Sequence, residues 1–217
     1  MFWTILLCLL FAFFAIAIAI APMPGKGYTM RAVGWLWRIF AWIVSRPRVA
    51  DWLIQRAMRT PYTHLPGYMN RYWLFNAYEK RSGQEVTPIR WLPSVRVHHI
   101  LRRDNDQHKH DHPWDARTII LKGYYIEDKI VGWTKVYDGE YAEQTVRHAR
   151  FPGDTAPILF GDYHSVAEVP EGGAWTLFIT FGYQGTWGFL VDGVKVPWRE
   201  YMEMYPEGPW ASEGATP

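Results

Sequence analysis

The feature that most constrains the fold is a series of short alternating segments in the second half of the chain. From about residue 71 onward, apolar residues alternate with polar ones, which is the period of a β-strand rather than of a helix. Turns rich in Asp, Pro and Gly separate the segments at 138–139, 152–154, 170–173 and 192–193. The predicted strands cover residues 95–102, 118–127, 133–137, 141–148, 156–160, 164–169, 175–180 and 187–191.

These segments follow one another without a long helical pattern between them. Short strands joined by tight turns pair with antiparallel neighbours, whereas parallel strands need long crossover connections. The sequence therefore predicts an all-β antiparallel sandwich or barrel over residues 70–205, followed by an irregular tail at 206–217. A chain of 217 residues has room for one such domain and an additional segment.

The start of the chain has a different character, because residues 2–21 carry no charged side chain. A helix of that length is about 30 Å long, enough to cross the hydrocarbon core of a bilayer. We therefore predict a transmembrane anchor at residues 1–22. The alternative is a signal peptide, since the alanine run also suits a peptidase site. The anchor is favoured because no Lys or Arg precedes the segment and Pro22 follows it directly.

The distribution of charge predicts the orientation of this anchor. Residues 1–71 contain eight Lys/Arg and one Asp, a formal charge of +7, and the remainder contains 15 basic and 20 acidic residues, a charge of −5, giving the total of +2. Basic residues after a single span keep that side in the cytoplasm. The expected arrangement is a single-pass protein with a cytoplasmic barrel domain, and export after cleavage is the alternative.

Residues 28–60 form an amphipathic, Trp-rich and Arg-rich helical pattern interrupted by Pro47. Two interpretations stay open: a helix lying in the lipid headgroup region, or a helical hairpin packed on the domain. A nucleic-acid-binding arm is not expected, because bulky aliphatic residues separate the arginines. The one cysteine, Cys8, allows no intrachain disulfide and no thiolate metal site.

The stretch "HKHDHPW" places His108, His110 and His112 at alternating positions. On a strand His110 and His112 would share a face, and neutral imidazoles there suit a divalent metal. Two ligands hold a metal weakly, so a third is needed. The best candidate is His164 in "FGDYHSV", at the start of a later strand. We interpret His108 as a solvated loop residue, with support of a metal ligand as the alternative.

Two motifs carry a family resemblance. "HKHDHPWDARTIILKG" resembles the first motif of the cupin superfamily, and "PGDTAPILFGDYHSV" resembles the second. The resemblance covers roughly residues 90–195, and "HDHPW" with "WTLFITFGYQGTWGF" is similar to a group of small, mostly uncharacterised bacterial and phage cupin-type proteins. It implies a jelly-roll β-barrel (an antiparallel double-stranded β-helix) with a metal at its mouth. Carried over by position, the ligands are His110, His112 and His164.

The sequence departs from the common cupin motif at one place. A Glu usually follows the second His by four or five residues, but Ala116 and Arg117 stand there. Asp115 is a nearby carboxylate that would face away on an unbroken strand, so its role as an additional ligand stays open. Without a carboxylate the site resembles the three-histidine arrangement of cysteine dioxygenase-type cupins. That likeness makes Fe(II) the first choice of metal, with Zn, Mn and Ni as alternatives.

A small-molecule pocket is expected beside these motifs. Candidate lining residues are Arg96, Arg117, Tyr124 and Trp187. At least one Arg is expected to face the pocket, because a guanidinium binds carboxylate or phosphate bidentately. The chain has no Gly-rich phosphate loop and no nucleophile elbow, so nucleotide hydrolysis and serine-hydrolase chemistry lack support.

Three functions of different classes remain. The first is a membrane-tethered, metal-dependent cupin enzyme, a ferrous dioxygenase or hydroxylase of a small polar substrate. The second is a metal-independent cupin epimerase or isomerase, with His110 or His112 as the general base. The third is a non-catalytic ligand-binding or scaffolding module at the membrane. A dimer is compatible with the fold in each case, and fold alone does not decide among them.

Overall fold

A computed structural model describes residues 34–81, 84–89, 92–137 and 140–206. The helices are α1 (Gly34–Val44), α2 (Pro47–Ala57) and α3 (Trp198–Met204). The strands are β1 (Met69–Phe75), β2 (Glu79–Arg81), β3 (Gln84–Val86), β4 (Ser94–Ile100), β5 (Trp114–Lys122), β6 (Tyr125–Tyr137), β7 (Glu140–Arg150), β8 (Thr155–Ile158), β9 (His164–Glu168), β10 (Ala174–Tyr183), β11 (Gly188–Val191) and β12 (Val194–Pro197).

The strands form antiparallel sheets, as the short alternating segments predict. The largest sheet has the order β1-β4-β10-β5-β8, and a three-stranded sheet has the order β7-β6-β9. The hairpins β11-β12 and β2-β3 are separate two-stranded units. Ile120 and Ala174 of the first sheet pack against Tyr125 and Val166 of the second, so a core lies between the two sheets. This mostly antiparallel β architecture with few helices is consistent with the predicted barrel.

The five-stranded sheet has one face toward this interior and one toward the helices. Val95 and Val97 of β4 pack in a core cluster with α1 and α2. Arg96 and His98 alternate with them and therefore point to the opposite face. Phe178 of β10 pairs with Arg96 in the register and its ring stacks on His98, so this inner face is continuous across neighbouring strands.

The helical pattern at residues 28–60 forms a pair of helices packed on the sheet from residue 34 onward. Buried residues of α1 include Phe40 and Val44, and those of α2 include Leu53 and Ala57. Pro47 occupies the first turn of α2, where its missing N–H costs no intrahelical hydrogen bond. The interruption in the pattern is therefore the turn between two short helices.

Two predicted strands are wrong in their extent. The segment predicted as a separate strand at 133–137 is the end of β6 (Tyr125–Tyr137). The segment predicted at 118–127 is divided, because β5 ends at Lys122 and β6 begins at Tyr125. Gly123 lies between them with φ +72°, and a Cβ there would stand 2.2 Å from the Gly173 carbonyl oxygen. Only glycine fits this reversal, which sends the chain from the first sheet into the second.

Two predicted terminal segments lie outside the described residues. The anchor at 1–22 precedes them, and all of the tail at 206–217 except Pro206 follows them. Within residues 34–206 as described, no helix has the length and apolar character needed to span a membrane.

Candidate metal centre

Three histidines from distant parts of the chain converge on one point. His110, His112 and His164 each offer a ring nitrogen, and these atoms lie within 4.8 Å of one another. The Nε2 atoms of His112 and His164 are 2.9 Å apart. This is the set of residues that the two sequence motifs predict as ligands, and the structure places it in one cluster.

The backbone fixes His110 beside His164 directly. Each of the two residues donates its N–H to the other's carbonyl oxygen at 3.0 Å. On the other side, the Asp111 N–H bonds the Gly188 carbonyl at 3.0 Å and the Leu190 N–H bonds the Lys109 carbonyl at 2.9 Å. His110 is thus an isolated bridge between β9 and β11, not part of a regular strand as the alternation suggested.

A buried carboxylate lies directly behind His164. Glu127 is 2% exposed, and its Oε2 lies 3.3 Å from His164 Nδ1. Its Oε1 accepts two hydrogen bonds from the Arg150 guanidinium, one of 2.8 Å from Nε and a shorter one from Nη2. Burial alone would raise the pKa of Glu127, but the His164 hydrogen bond and Arg150 outweigh it and lower the pKa to about 2.

The charged Glu127 carboxylate fixes how His164 carries its proton. An Nδ1–H donating to Glu127 leaves the lone pair of Nε2 pointing toward His112. That pairing of a carboxylate with the far nitrogen of a histidine is the usual support of a metal ligand.

Asp104 plays a related part behind His110. Its Oδ2 lies 3.7 Å from His110 Nδ1, too long for a hydrogen bond but close enough for electrostatic attraction. The carboxylate is held by the Val166 N–H at 2.7 Å and by the Tyr68 hydroxyl. Sequence reasoning missed both Asp104 and Glu127, because nothing in their local segments distinguishes them from ordinary loop and strand acids.

Two of the three histidines, His110 and His112, are suited to remain neutral. Burial, the largest cause, lowers the pKa of His110 to about 4, with Asp104 acting in the opposite direction. Burial and the neighbouring imidazoles also hold the pKa of His112 well below its usual value. A neutral imidazole keeps a lone pair for a cation, and three nitrogen donors with two carboxylates behind them fit a borderline divalent metal.

The inner face of the large sheet continues from this cluster into the barrel. His98 stacks on Phe178 with ring centroids 4.9 Å apart, and the same Phe178 ring is 5.7 Å from His112. His98 Nε2 is buried and has no hydrogen-bond partner among the described residues. Arg96, also buried, places its guanidinium 4.6–6.0 Å from five aromatic rings. The rings belong to Tyr62, Trp73, Tyr78, Trp114 and Phe178.

The predicted pocket residues lie in different places. Arg96 faces the barrel interior, and Trp187 lies 6.3 Å from His110 between ring centroids. Arg117 lies on the opposite face, with its guanidinium 4.7 Å from the Trp37 ring of α1. Tyr124 lies in the connection between β5 and β6, and its ring centroid is 5.5 Å from that of Phe151. Neither Arg117 nor Tyr124 is brought to the histidine cluster.

Two further candidates also lie apart from the cluster. Asp115 accepts hydrogen bonds from the Phe160 N–H at 3.0 Å and from Gln184 Nε2 at 3.3 Å, so it ties two loops together. His108 Nδ1 lies 2.8 Å from the Tyr201 hydroxyl of α3. Neither residue belongs to the group of potential metal ligands among the described residues.

An antiparallel β barrel with three histidines converging between its sheets is the arrangement found in cupins. Solved structures to which the chain is similar include cupin-fold proteins. They include a DMSP lyase (16% identity, TM-score 0.36, 54% of this chain and 48% of that one). An oxalate oxidase is 11% identical with a TM-score of 0.41, and the match covers 70% of this chain and 72% of that one. The oxalate decarboxylase of Bacillus subtilis is 12% identical with a TM-score of 0.40, and the match covers 74% of this chain and 36% of that one.

No protein-family model and no curated protein matches the sequence. The chain spans about half the length of the DMSP lyase and about a third of the oxalate decarboxylase. All three structural alignments have identities below 20% and TM-scores below 0.5. The activities of these proteins therefore say nothing about the activity of this one.

Proposed function

We propose that the protein is a metal-dependent oxidoreductase of the dioxygenase or hydroxylase type, which holds one divalent ion through His110, His112 and His164. The observation that carries the proposal is the convergence of three imidazoles with a charged carboxylate hydrogen-bonded behind one of them. Fe(II) is the first choice of metal, and Zn, Mn or Ni also accept imidazole ligands.

The donor set favours a catalytic rather than a structural ion. A structural ion in a protein is usually closed by four ligands, whereas three protein ligands leave positions for substrate. A bound redox metal would supply electron transfer and open coordination positions. The residues of the chain have the other roles: Glu127 orients His164, and Phe178 shields one side of His112 from water.

The inner face of the large sheet supports a small anionic substrate. The Arg96 guanidinium is buried among aromatic rings on the same face as His98, where its positive charge favours an anionic ligand, and its Nη2 lies 3.5 Å from Thr180 Oγ1. The buried His98 Nε2 needs a partner, which a polar substrate atom or a water molecule would provide. These features together favour a substrate that combines a carboxylate with a metal-binding group.

Membrane attachment is part of the same proposal. It is supported by the uncharged segment at 2–21 and by the excess of basic residues that follows, and both favour a single-pass anchor with the barrel in the cytoplasm. Export after cleavage of the segment is the alternative arrangement.

The metal proposal is tested by elemental mass spectrometry of the purified full-length chain. The wild type is compared with a His110→Ala/His112→Ala double variant and with a His64→Ala/His99→Ala control. The control removes the same number of imidazoles, but His99 stacks on Trp175 outside the barrel and neither residue belongs to the cluster. We expect near-stoichiometric metal in the wild type and the control, and none in the cluster variant.

Two results would contradict the proposal. Absence of metal from the wild type after anaerobic reconstitution with ferrous iron would rule out the metalloenzyme and leave a metal-independent catalyst or a binding module. Equal metal in the cluster variant would place the ion elsewhere in the chain.

A further inference from the structure

The outward side of α1 carries a stripe of large apolar side chains. Trp35, Ile39 and Trp42 are 60%, 49% and 57% exposed. Their spacing of four and then three residues places them on one side of the helix, and the exposed Arg38 lies among them. The opposite side is buried against the sheet through Trp37, Phe40, Ala41 and Val44. The helix is therefore apolar on two sides, and the described part of the chain covers one of them.

A basic residue extends the stripe by one turn. Arg46 places its guanidinium 4.5 Å from the Trp42 ring, and its Nε donates to the Trp42 carbonyl at 2.9 Å. Tryptophan beside arginine on an exposed helix is typical of the membrane interface, where the indole lies at the headgroup level and the guanidinium meets phosphate.

The charge of the helical pair complements an anionic surface. Residues 34–59 contain five arginines (Arg38, Arg46, Arg48, Arg56 and Arg59) and one acid, Asp51, for a net charge of +4. The Asp51 carboxylate lies 3.3 Å from Lys122, so the sheet offsets part of the only negative charge in this segment. Clusters of basic residues next to apolar ones bind surfaces rich in anionic phospholipids.

The preceding chain keeps this stripe close to any membrane that it enters. The uncharged segment ends at Ala21, fourteen positions before Trp35. Even a fully extended linker of that length spans at most about 50 Å. An anchored chain would therefore hold α1 near the bilayer surface throughout.

We propose that the face formed by Trp35, Ile39 and Trp42 lies in the headgroup region of an anionic bilayer, with Arg38 and Arg46 at lipid phosphates. This inference rests on the proposed membrane attachment and adds which surface of the domain meets the lipid. The five-stranded sheet then separates the bilayer from His98 and the histidine cluster on its inner face. The orientation of the barrel is fixed by a docked helix rather than by a flexible tether.

The test measures the depth of a nitroxide spin label in the full-length chain, reconstituted into phosphatidylcholine vesicles with and without phosphatidylglycerol. A Cys8→Ala background removes the one native thiol. One variant adds Ile39→Cys and the matched control adds Val131→Cys, a 57% exposed apolar position on β6. Power saturation compares access of molecular oxygen, which concentrates in lipid, with access of a water-soluble nickel chelate.

We expect the label at position 39 to be relaxed by oxygen and shielded from nickel, more so with phosphatidylglycerol, while the label at 131 shows the reverse. Equal access of the nickel chelate to the labels at 39 and 131 would overturn the docking. The anchor proposal would stand in that case if the chain still floats with the vesicles in a density gradient. Shielding at 39 from both reagents would also overturn it, because protein rather than lipid would cover the face. A chain that fails to float would refute both.

Discussion

Replacing Glu127 by glutamine is expected to weaken metal binding without altering any ligand. The Glu127 carboxylate accepts from His164 Nδ1 at 3.3 Å, and its charge favours the tautomer that leaves Nε2 free to bind a metal. In Glu127→Gln the amide is neutral and loses its ion pair with Arg150. The substitution thus removes the electrostatic support of a ligand and preserves the size of the side chain.

The magnitude follows from the strength of this environment. The fall in the pKa of Glu127 from 4.5 to about 2 corresponds to about 3 kcal/mol of net stabilisation of its charge. Only the part directed at His164 acts on the metal. Loss of a carboxylate behind a metal-binding histidine typically lowers affinity about 10- to 100-fold, or about 1.4 to 2.7 kcal/mol.

The assay is competition between the protein and a chromogenic chelator for Co(II) or Mn(II) at neutral pH. Asp128→Asn is the matched control, because Asp128 is the next residue of β6 and its carboxylate pairs with exposed Arg147 at 2.8 Å, away from the cluster. We expect the control to bind metal like the wild type. Wild-type affinity in Glu127→Gln, or an equal loss in Asp128→Asn, would refute the reasoning.

Three other outcomes are expected. Because burial lowers the pKa of His110 to about 4, this histidine binds a proton near pH 6.5 in the unfolded chain but only near pH 4 in the folded one. His110 alone should therefore lower the free energy of unfolding of the metal-free protein by about 2 kcal/mol by pH 5, as measured with urea, and a His110→Gln variant should lose about that much less than the wild type. His98 Nε2 is buried and finds no partner among the residues that the structure describes. His98→Leu should therefore raise the stability of the metal-free protein by about 1 kcal/mol and leave metal content unchanged, and a lower Tm would mean that a water or ion satisfies the ring. Gly172→Ala should lower the free energy of unfolding by about 1 kcal/mol, from positive-φ strain alone. Gly173→Ala should lower it by about 2 kcal/mol more, because its Cβ would stand 2.5 Å from the Ile100 carbonyl oxygen. Equal melting temperatures of the two variants would contradict this.

Local patterning was sufficient to predict most of the strands. Turn residues and alternation gave segments that correspond to β4 to β11, with the break at Gly123 as the main error. Strand β1 was missed because its burial does not alternate: Tyr72 and Trp73, adjacent in sequence, are both buried. Such a strand is defined by its partner β4 rather than by its own sequence.

The choice between the two arginines required the register of the sheet. Arg96 and Thr118 both pair with Phe178, in a row that faces the barrel interior. Val95 and Arg117 both pair with Ile179, in a row that faces the helices. Moving one strand by a single residue would exchange the two rows, so the sequence of either strand alone predicts neither position.

The carboxylates behind the histidines could not be predicted for a similar reason. Glu127 and His164 are 37 positions apart, and Asp104 reaches His110 through a loop anchored by Tyr68 and Val166. The spacing of histidines is a local signal that sequence motifs preserve. The second layer of a site depends on which strands become neighbours, and that information is distributed over the whole sheet.

The two faces of strand β4 serve different parts of the protein: Val95 and Val97 pack against the helices, while Arg96 and His98 face the site. Insertion or deletion of one residue within β4 would turn every later side chain of the strand to the opposite face. A guanidinium would then lie against the helices, and valines would lie beside the histidines. Lineages of this protein should therefore tolerate substitutions in β4 but reject single-residue changes of its length. The length of β4 is therefore constrained by the helical layer and by the site together, because side chains of this one strand contribute to both.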